Sequence, residues 1–306
     1  MTESVFFNKL RHMLPFVPDQ IIGRYAPSPS GNLHIGNAYS ALFSWRTVRE
    51  LGGKFLLRIE DIDLSRCCGD FEQSIYDDLE WLGVDWDGVV RRQSDNVLDF
   101  KRALAKLRQL GVLYPCFCSR SQIKLEASKR WGQHKSEGPL GVIYPGTCQS
   151  LSPIIRRSRM QSGEDYAHRL NLSHAMSLAE EKLGGPLTWT DFYTGPQMCD
   201  PSNIGDPVLW RKDNPASYNL AVVVDDGLQG INLVTRGLDI YYATHIHRVL
   251  QVLLDIPAPI YIHHKLVNDH RGDRLSKTRG STSIRHMRDT GMSRNDVFRM
   301  IGWRYS

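Results

Sequence analysis

The fold is decided by the stretch Arg24-Tyr-Ala-Pro-Ser-Pro-Ser-Gly-Asn-Leu-His-Ile-Gly-Asn37. Its first three residues end an apolar run that begins at Ile21 and extends to Ala26, and its last residues open a helical pattern from Ala38 to Leu51. A strand, a turn of small residues and a helix N-terminus together form an anion site, because free backbone N–H groups and the helix dipole point to the same place. The stretch therefore predicts a phosphate-binding βα unit.

Strand and helix patterns alternate through the rest of the chain. The run Lys54–Glu60 has the length of a buried strand, and apolar residues recur at helical spacing over 70–82 and 97–110. Later patterns indicate strands at 218–226, 231–235 and 259–263, a helix at 240–254, and short helices at 283–289 and 293–301. Such alternation is typical of βαβ units, so we predict an α/β fold with a doubly wound parallel sheet.

Glycine and proline break this pattern between residues 114 and 196. We predict an inserted subdomain there, between a first half of the core at 21–113 and a second half at 197–306. Residues 1–20 form an N-terminal extension without a sustained apolar segment, which does not look like a secretory signal. Only 28 residues follow Thr278, which we expect to be too few for a further domain.

The composition is that of an ordinary globular protein, with 41% hydrophobic and 23% charged residues. No apolar stretch is long enough to span a bilayer, so we expect no membrane partner. The net charge of +5 mildly favours a polyanionic partner. The six cysteines do not form the pattern of a disulfide framework, which indicates a reducing cytoplasm. We also expect the protein to act as a monomer.

A second stretch, Arg274-Leu-Ser-Lys-Thr278, lies near the other end of the chain, between Gly272 and Gly280. Its basic side chains suit the binding of a polyphosphate, although a solvated basic turn has the same composition. The two stretches together, in this order, are a stronger indication than either one alone.

The two stretches resemble the H-I-G-H and K-M-S-K-S signatures of class I aminoacyl-tRNA synthetases, which activate an amino acid with ATP. The string Arg24-x-Ala-Pro-Ser-Pro-Ser-Gly resembles the glutamate and glutamine branch of that class, and the resemblance covers residues 21–302. It implies a Rossmann-like catalytic core, an inserted acceptor-binding and zinc subdomain, and a short helical C-terminus. One departure is Asn37, which stands where the signature has its second histidine. An asparagine also donates hydrogen bonds.

The resemblance assigns both signature stretches to ATP. Activation sends a carboxylate against the α-phosphorus of ATP, so it needs positioning and charge neutralisation more than acid–base groups. The implied ATP-binding residues, which hold the nucleotide with Mg²⁺, are His34, Gly36, Asn37, Arg274, Ser276 and Lys277. Of these, His34 and Lys277 are the predicted catalytic residues. Taken alone, the sequence His-Ile-Gly favours a histidine that caps a helix.

The same resemblance implies a pocket for the amino acid, formed by Arg24, Ala26, Ser28, Glu60, Tyr218 and Arg236. Glu60 is expected to hold the substrate α-ammonium group, whereas carboxylates at a strand end otherwise belong to a solvated turn. A lone tyrosine is more often part of a core, and a lone arginine is more often a surface charge. The guanidinium of Arg236 suits a γ-carboxylate, and the amide of glutamine would leave its charge unpaired. The chain is therefore predicted to bind glutamate.

The segments Cys116-x-Cys118 and Tyr144-x-x-x-Cys148 supply three thiols and a phenol. By spacing alone they indicate free buried thiols, or a zinc site with His134 as a further ligand. The resemblance implies Zn²⁺ bound by Cys116, Cys118, Tyr144 and Cys148, because short glutamyl-synthetase-like proteins carry this pattern in the same insertion. The other cysteines show no ligand pattern.

Within this branch the chain resembles short paralogues of glutamyl-tRNA synthetase that lack the anticodon-binding domain. Members of that group activate glutamate with ATP and attach it to the queuosine base in the anticodon of aspartate tRNA, not to the 3′ end. L-glutamate and queuosine-modified tRNA(Asp) are therefore the expected partners. Three alternatives stay open: a glutamyl-tRNA synthetase-like enzyme with another acceptor, a small nucleotidyltransferase of the same superfamily, and a catalytically silent tRNA-binding or regulatory protein.

Overall fold

The computed structural model describes residues 3–14, 20–213, 215–267 and 283–303. The predicted ATP-binding residues Arg274, Ser276 and Lys277 lie outside the described residues. The helices are α1 (Glu3–Met13), α2 (Ile35–Glu50), α3 (Gly69–Leu82), α4 (Val97–Gln109), α5 (Arg120–Trp131), α6 (Pro153–Gln161), α7 (Leu172–Leu183), α8 (Tyr218–Leu228), α9 (Ala243–Leu254), α10 (Ile284–Asp289) and α11 (Arg294–Met300). The strands are β1 (Ile22–Tyr25), β2 (Lys54–Ile59), β3 (Arg91–Arg92), β4 (Leu113–Cys116), β5 (Glu137–Gly138), β6 (Gly141–Val142), β7 (Ala167–Leu170), β8 (Thr188–Asp191), β9 (Gly195–Met198), β10 (Val208–Trp210), β11 (Leu233–Gly237) and β12 (Ile260–His264).

Seven strands form the main sheet, in the order β3-β2-β1-β11-β12-β8-β9. Every neighbouring pair is parallel except β8 and β9. The strand order reverses between β1 and β11, because β1 leads to β2 on one side and β11 leads to β12 on the other. Ligands bind at such a switch point, beyond the carboxyl ends of the strands. The predicted doubly wound parallel sheet is confirmed, with one antiparallel strand at its edge.

Helices cover both faces of this sheet. One hydrophobic cluster contains Phe100 of α4, Leu220 of α8 and Val249 of α9. The other contains Leu42 of α2 and Val297 of α11. In the part of the chain that the structure describes, no helix combines the length and the apolar character needed to cross a membrane.

The residues predicted as an insertion, 114–196, divide between separate sheets. Strands β4 and β7 form a three-stranded antiparallel sheet with β10, and β5 pairs with β6. Strand β8 and the start of β9 lie in the same range but belong to the main sheet, whereas β10, from the predicted second half, joins the small sheet. The main sheet and the small sheet are therefore not separated at residue 196, where we predicted the end of the inserted subdomain. Sequence patterns locate short strands but do not show which strands pair.

The strand predicted at 218–226 is wrong. These residues form α8, which begins after Ser217 and ends at Leu228. The residues from Leu220 to Asp226 are all buried, because α8 packs against α4 and α9. A helix that is apolar on every side lacks a visible 3.6-residue period, so its sequence looks like that of a buried strand. The helix places Tyr218 in its first turn and Asp226 in its last.

Candidate active site

The predicted amino-acid-binding residues gather at the carboxyl ends of the central strands. Arg24 lies in β1, Glu60 follows β2, and Arg236 lies in β11. The hydroxyl of Tyr218 lies 3.5 Å from Nη1 of Arg236. Burial of this hydroxyl raises the pKa of Tyr218, Arg236 opposes that shift and Glu60 adds to it. The ionisable groups of the three residues are therefore within electrostatic range of one another.

Ala26 and Ser28 lie in the turn between β1 and α2. The carbonyl of Pro27, between them, accepts a hydrogen bond from the backbone N–H of Glu60 at 3.0 Å. This bond ties the turn after β1 to the end of β2. The turn therefore lies beside Glu60, as the resemblance requires.

Arg24 already has a carboxylate partner. Its Nε and Nη2 donate to the two carboxylate oxygens of Asp226, at 3.0 and 3.2 Å. Nη2 of the fully buried Arg58 donates to the same carboxylate at 2.8 Å. Burial alone would raise the pKa of Asp226, but Arg24 and Arg58 outweigh it and lower that pKa. Asp226 is therefore ionised and balances the charge of Arg24.

Glu60 lies at the edge of the same network, with Oε1 3.6 Å from Nη2 of Arg58. Burial outweighs the attraction of Arg58 and Arg24 and raises the pKa of Glu60 to about 7. An ammonium group beside such a carboxyl favours its ionised form and is bound strongly in return. The position and the raised pKa of Glu60 suit the predicted role toward the substrate α-ammonium group.

Arg236 differs from Arg24 in its partners. Its guanidinium is buried and donates to Nε2 of His263 at 3.1 Å, to Nδ1 of His247 at 3.1 Å and to the hydroxyl of Thr244. Among the described residues, no carboxylate lies within ion-pair distance of Arg236. A buried guanidinium without a counter-charge is costly, so this arrangement favours an anionic group of a ligand.

His34 caps helix α2. Its Nδ1 accepts the backbone N–H of Gly36 at 3.0 Å, and Oδ1 of Asn37 accepts the backbone N–H of His34 at 3.1 Å. A Cβ atom on Gly36 would lie 2.8 Å from Cε1 of His34, so the cap itself requires a glycine there. Because Nδ1 is an acceptor in the cap, Nε2 is the ring nitrogen that carries the proton. The capping role and the phosphate-binding role are thus compatible.

A cavity of about 140 Å³ lies beside this cap, at the switch point of the sheet. Val267 and Ser283 are the last described residue before the second signature stretch and the first described residue after it. Val267 lines the cavity, and Ser283 forms a β-bridge with His34. The lining residues come from the first signature stretch, the start of α2, and the ends of β11 and β12 with the segments that follow them. They include His34, Gly36, Asn37, Asp239, His264 and Val267. This cavity is the candidate nucleotide site.

The four predicted zinc ligands converge in the small sheet and the loop beside it. The sulfur atoms of Cys116, Cys118 and Cys148 lie within 4.8 Å of one another. The hydroxyl of Tyr144 lies 3.4 Å from Sγ of Cys116 and 3.8 Å from Sγ of Cys118. Tetrahedral zinc with Zn–S bonds of about 2.3 Å places its sulfur atoms about 3.8 Å apart, so one ion fits this donor set. His134 is exposed and does not belong to the cluster.

Arg169 brings a positive charge to these four residues. It is buried, and its guanidinium carbon lies 3.9 Å from the centre of the Tyr144 ring. A hydrogen bond with Cys148 is the main cause that lowers the pKa of the Cys116 thiol, to about 4, and Arg169 lowers it further. A cation here offsets the negative charge that thiolate ligands bring to a metal site.

Sequence reasoning missed the residues that hold the predicted ones in place, which are Arg58, Asp191, Asp225, Asp226, Thr244, His247 and His263. The pair Asp225-Asp226 carried a signal, because two acids that end an apolar run are unusual in a buried segment. The histidines carried none. They contact Arg236 only after α9, β11 and β12 have come together.

The comparisons with known proteins agree with this geometry. The family described as "tRNA synthetases class I (E and Q), catalytic domain" matches residues 20–305. The structure of the glutamate-tRNA synthetase from Elizabethkingia anophelis has the same fold, with a TM-score of 0.69 and 24% identity over 89% of this chain. The match covers 54% of that synthetase, so this chain spans about half its length. The chain belongs to this family of class I tRNA synthetases for glutamate and glutamine.

Its sequence relatives narrow the class. The glutamyl-Q tRNA(Asp) synthetase of Rhodobacter capsulatus is 40% identical over 282 residues, which are 92% of this chain and 100% of that protein. The protein of the same name from Symbiobacterium thermophilum is also 40% identical, over 90% of this chain and 84% of the relative. Within the class, the chain belongs to the glutamyl-Q tRNA(Asp) synthetases.

Proposed function

We propose that this protein activates L-glutamate with ATP and transfers the glutamyl group to the queuosine base in the anticodon of tRNA(Asp). The observation that carries the glutamate assignment is the buried Arg236, which has no carboxylate partner among the described residues. A γ-carboxylate supplies the missing charge, whereas a carboxamide does not. The acceptor assignment rests on the relatives, which bear the name glutamyl-Q tRNA(Asp) synthetase.

The proposed reaction has two steps. An oxygen of the glutamate α-carboxylate attacks the α-phosphorus of ATP, and pyrophosphate leaves, which gives glutamyl-adenylate. A hydroxyl group of the acceptor then attacks the glutamyl carbonyl carbon, loses its proton and displaces AMP. Both steps depend on positioning and on neutralisation of phosphate charge more than on a strong acid or base.

We assign Glu60 to the α-ammonium group of glutamate and Arg236 to its γ-carboxylate. His34 donates to a phosphate oxygen through Nε2. The rest of the amino-acid pocket consists of Arg24, Ala26, Ser28 and Tyr218. The remaining ATP ligands lie outside the described residues and are proposed by resemblance alone, with Mg²⁺ on the phosphates: Arg274, Ser276 and Lys277.

A second cavity supports a route for the acceptor. Its volume is about 510 Å³, and its lining includes Tyr218 of the amino-acid pocket together with Cys116 and Cys118 of the small sheet. Trp210 and Arg211 also line it, and such aromatic and basic side chains suit a nucleobase and its phosphates. An acceptor that enters through this cavity reaches Tyr218 directly.

The purified protein is expected to catalyse glutamate-dependent ATP–pyrophosphate exchange without tRNA, because the candidate glutamate residues and the described ATP residues His34, Gly36 and Asn37 lie in one core. It should also label queuosine-containing tRNA(Asp) with glutamate, but not tRNA(Glu). Removal of the 3′-terminal adenosine is the deciding control, since it leaves the modified base intact. If labelling disappears with that adenosine, the reaction is ordinary aminoacylation. Absence of exchange would favour a silent tRNA-binding protein.

We further propose that Cys116, Cys118, Tyr144 and Cys148 bind one Zn²⁺ in a closed structural site. Metal analysis should then find about one zinc per chain. Replacing Cys148 by serine should release the metal and lower the transfer rate more than the exchange rate, because the site lies in the small sheet and not beside the nucleotide cavity.

The matched control for this zinc prediction is Cys199→Ser. Cys199 is also buried and free, but it lies outside the cluster. The control variant should keep its zinc. Full zinc occupancy after removal of both Cys116 and Cys118 would show that the ligand set is wrong.

A further inference from the structure

Arg236 contacts two buried histidines, His247 and His263. An arginine side chain has only donors, so each ring nitrogen that faces it must accept. Nε of Arg236 donates to Nε2 of His263, and Nη1 donates to Nδ1 of His247. Both histidines are therefore neutral, and each carries its proton on its other nitrogen. Burial agrees with this state, because it is the main cause that lowers the pKa of both rings.

Each histidine has a partner that fixes the required tautomer. Nδ1 of His263 donates to Oδ2 of Asp191 at 2.8 Å, and Nε2 of His247 donates to Oδ1 of Asn219 at 3.0 Å. Burial alone would raise the pKa of Asp191, but hydrogen bonds from His263 and from two backbone N–H groups outweigh it and lower that pKa. Asp191 is therefore an ionised acceptor. Both histidines consequently present a lone pair to Arg236.

This arrangement leaves part of Arg236 for a ligand. Of the five N–H groups that an arginine has, three donate to His263, His247 and Thr244. The hydroxyl of Tyr218 lies at the longer distance of 3.5 Å from Nη1. One N–H on Nη2 thus has no partner among the described residues, and the N–H on Nη1 that donates to Tyr218 over this long distance can be shared with a carboxylate, which accepts two such bonds. The neutral histidines orient the guanidinium without cancelling its charge.

We propose that His263 and His247, held by Asp191 and Asn219, are positioning residues that make this site select a carboxylate over a carboxamide. They hold the guanidinium of Arg236 in one orientation. Because they are neutral, its positive charge is left for the carboxylate of the substrate. The inference rests on the proposed function, because it concerns glutamate as that substrate.

The first test is Asp191→Asn. Oδ1 of Asp191 accepts the backbone N–H groups of Tyr193 and Thr194, at 2.9 and 3.1 Å. An asparagine keeps its oxygen on these groups and turns its NH₂ group toward His263. His263 must then accept at Nδ1 and carry its proton on Nε2, which places a donor against a donor of Arg236. We expect the KM for glutamate in the exchange reaction to rise roughly tenfold to a hundredfold, with the KM for ATP unchanged.

The second test is His247→Glu, which places a carboxylate beside Arg236. The preference for glutamate over glutamine, measured as a ratio of kcat/KM values, should fall at least about tenfold, because the guanidinium is then neutralised before the substrate binds. His247→Gln keeps an acceptor without adding charge and should retain the preference.

The matched control is His245→Gln. His245 lies on the same helix and is similarly buried, but its Nδ1 accepts from the backbone of Asp200 and from Trp189, not from Arg236. The KM for glutamate of this variant should stay within about twofold of the parent value.

Nitrogen-15 NMR of the histidine rings tests the tautomers without any activity. His263 should carry its proton on Nδ1 in the parent protein and on Nε2 in Asp191→Asn. The inference is wrong if the parent protein shows the Nε2 tautomer, or if Asp191→Asn and His247→Glu leave both the KM and the glutamate preference unchanged. A parent protein with the expected tautomers but without glutamate-dependent exchange would refute the proposed function and with it the selection of glutamate.

Discussion

Replacing Arg236 by alanine is expected to raise the KM for glutamate by roughly 30- to 4000-fold. Loss of a buried charged partner costs about 2–5 kcal/mol, which converts to that range of affinity. The effect is large because the carboxylate of the substrate is then buried without a counter-charge. The KM for ATP should not change, since Arg236 does not line the cavity beside His34. Glutamate-dependent ATP–pyrophosphate exchange measures both values.

Arg248→Ala is the matched control for this prediction. Arg248 is a partly buried arginine of α9 whose Nε donates to the carbonyl of Thr188 at 2.8 Å, away from Arg236. The Arg248→Ala variant also loses a guanidinium group, in this case from α9, but it leaves the amino-acid pocket around Arg236 unchanged. A similar rise of the glutamate KM in both variants would show that Arg236 acts through stability alone. An unchanged KM in Arg236→Ala would contradict its assigned role.

The local structure around His34, in the candidate nucleotide site, could be predicted from the sequence because its signal is local. The residues from Arg24 to Asn37 form one strand, one turn and one helix cap, and the cap joins His34, Gly36 and Asn37 within four positions. Four strands of the main sheet, β1, β2, β11 and β12, were also predictable, since each is a short apolar run between turns. The other three, β3, β8 and β9, contain no such run and were not predicted. The Cys116 and Cys148 segments were visible as a pattern, and the structure brings their ligand atoms together.

For the candidate amino-acid pocket, the sequence predicted only individual residues, and it did so only through the resemblance to the synthetase family. Tyr218 was predicted to share a pocket with Arg236, and the structure brings the two side chains into contact. It was also assigned to a strand, because α8 is buried over most of its length and its sequence lacks a helical period. The partners of Arg24 and Arg236 come from segments far apart in the chain: Asp226 is 202 positions from Arg24, and His263 is 27 positions from Arg236. Such pairings appear only after the sheet has formed, and no local pattern encodes them.

The second large expected effect is on stability, and it concerns three buried charges: Arg24 on β1, Arg58 on β2 and Asp226 on α8. Asp226 accepts hydrogen bonds from both Arg24 and Arg58, and these two arginines are 5% and 0% exposed. If Asp226 becomes asparagine, the carboxylates that remain near Arg58 among the described residues are those of Glu60 and Asp225, each at 3.6 Å. Two guanidinium groups then stay buried with too little negative charge. Removing one member of a buried ion pair costs about 3–5 kcal/mol.

Asp226→Asn should therefore lower the free energy of unfolding at pH 7 by about 3–5 kcal/mol in denaturant titrations. Arg24 and Arg58 lower the pKa of Asp226 in the folded protein. Its stabilising contribution is thus complete above the pKa of the unfolded carboxyl, about 4, and is lost as the pH falls further. The control is Asp255→Asn, because Asp255 also accepts from two cations, Lys106 and Lys182, but at the surface. If Asp255→Asn destabilises the protein as much as Asp226→Asn does, burial of the charges is not the cause.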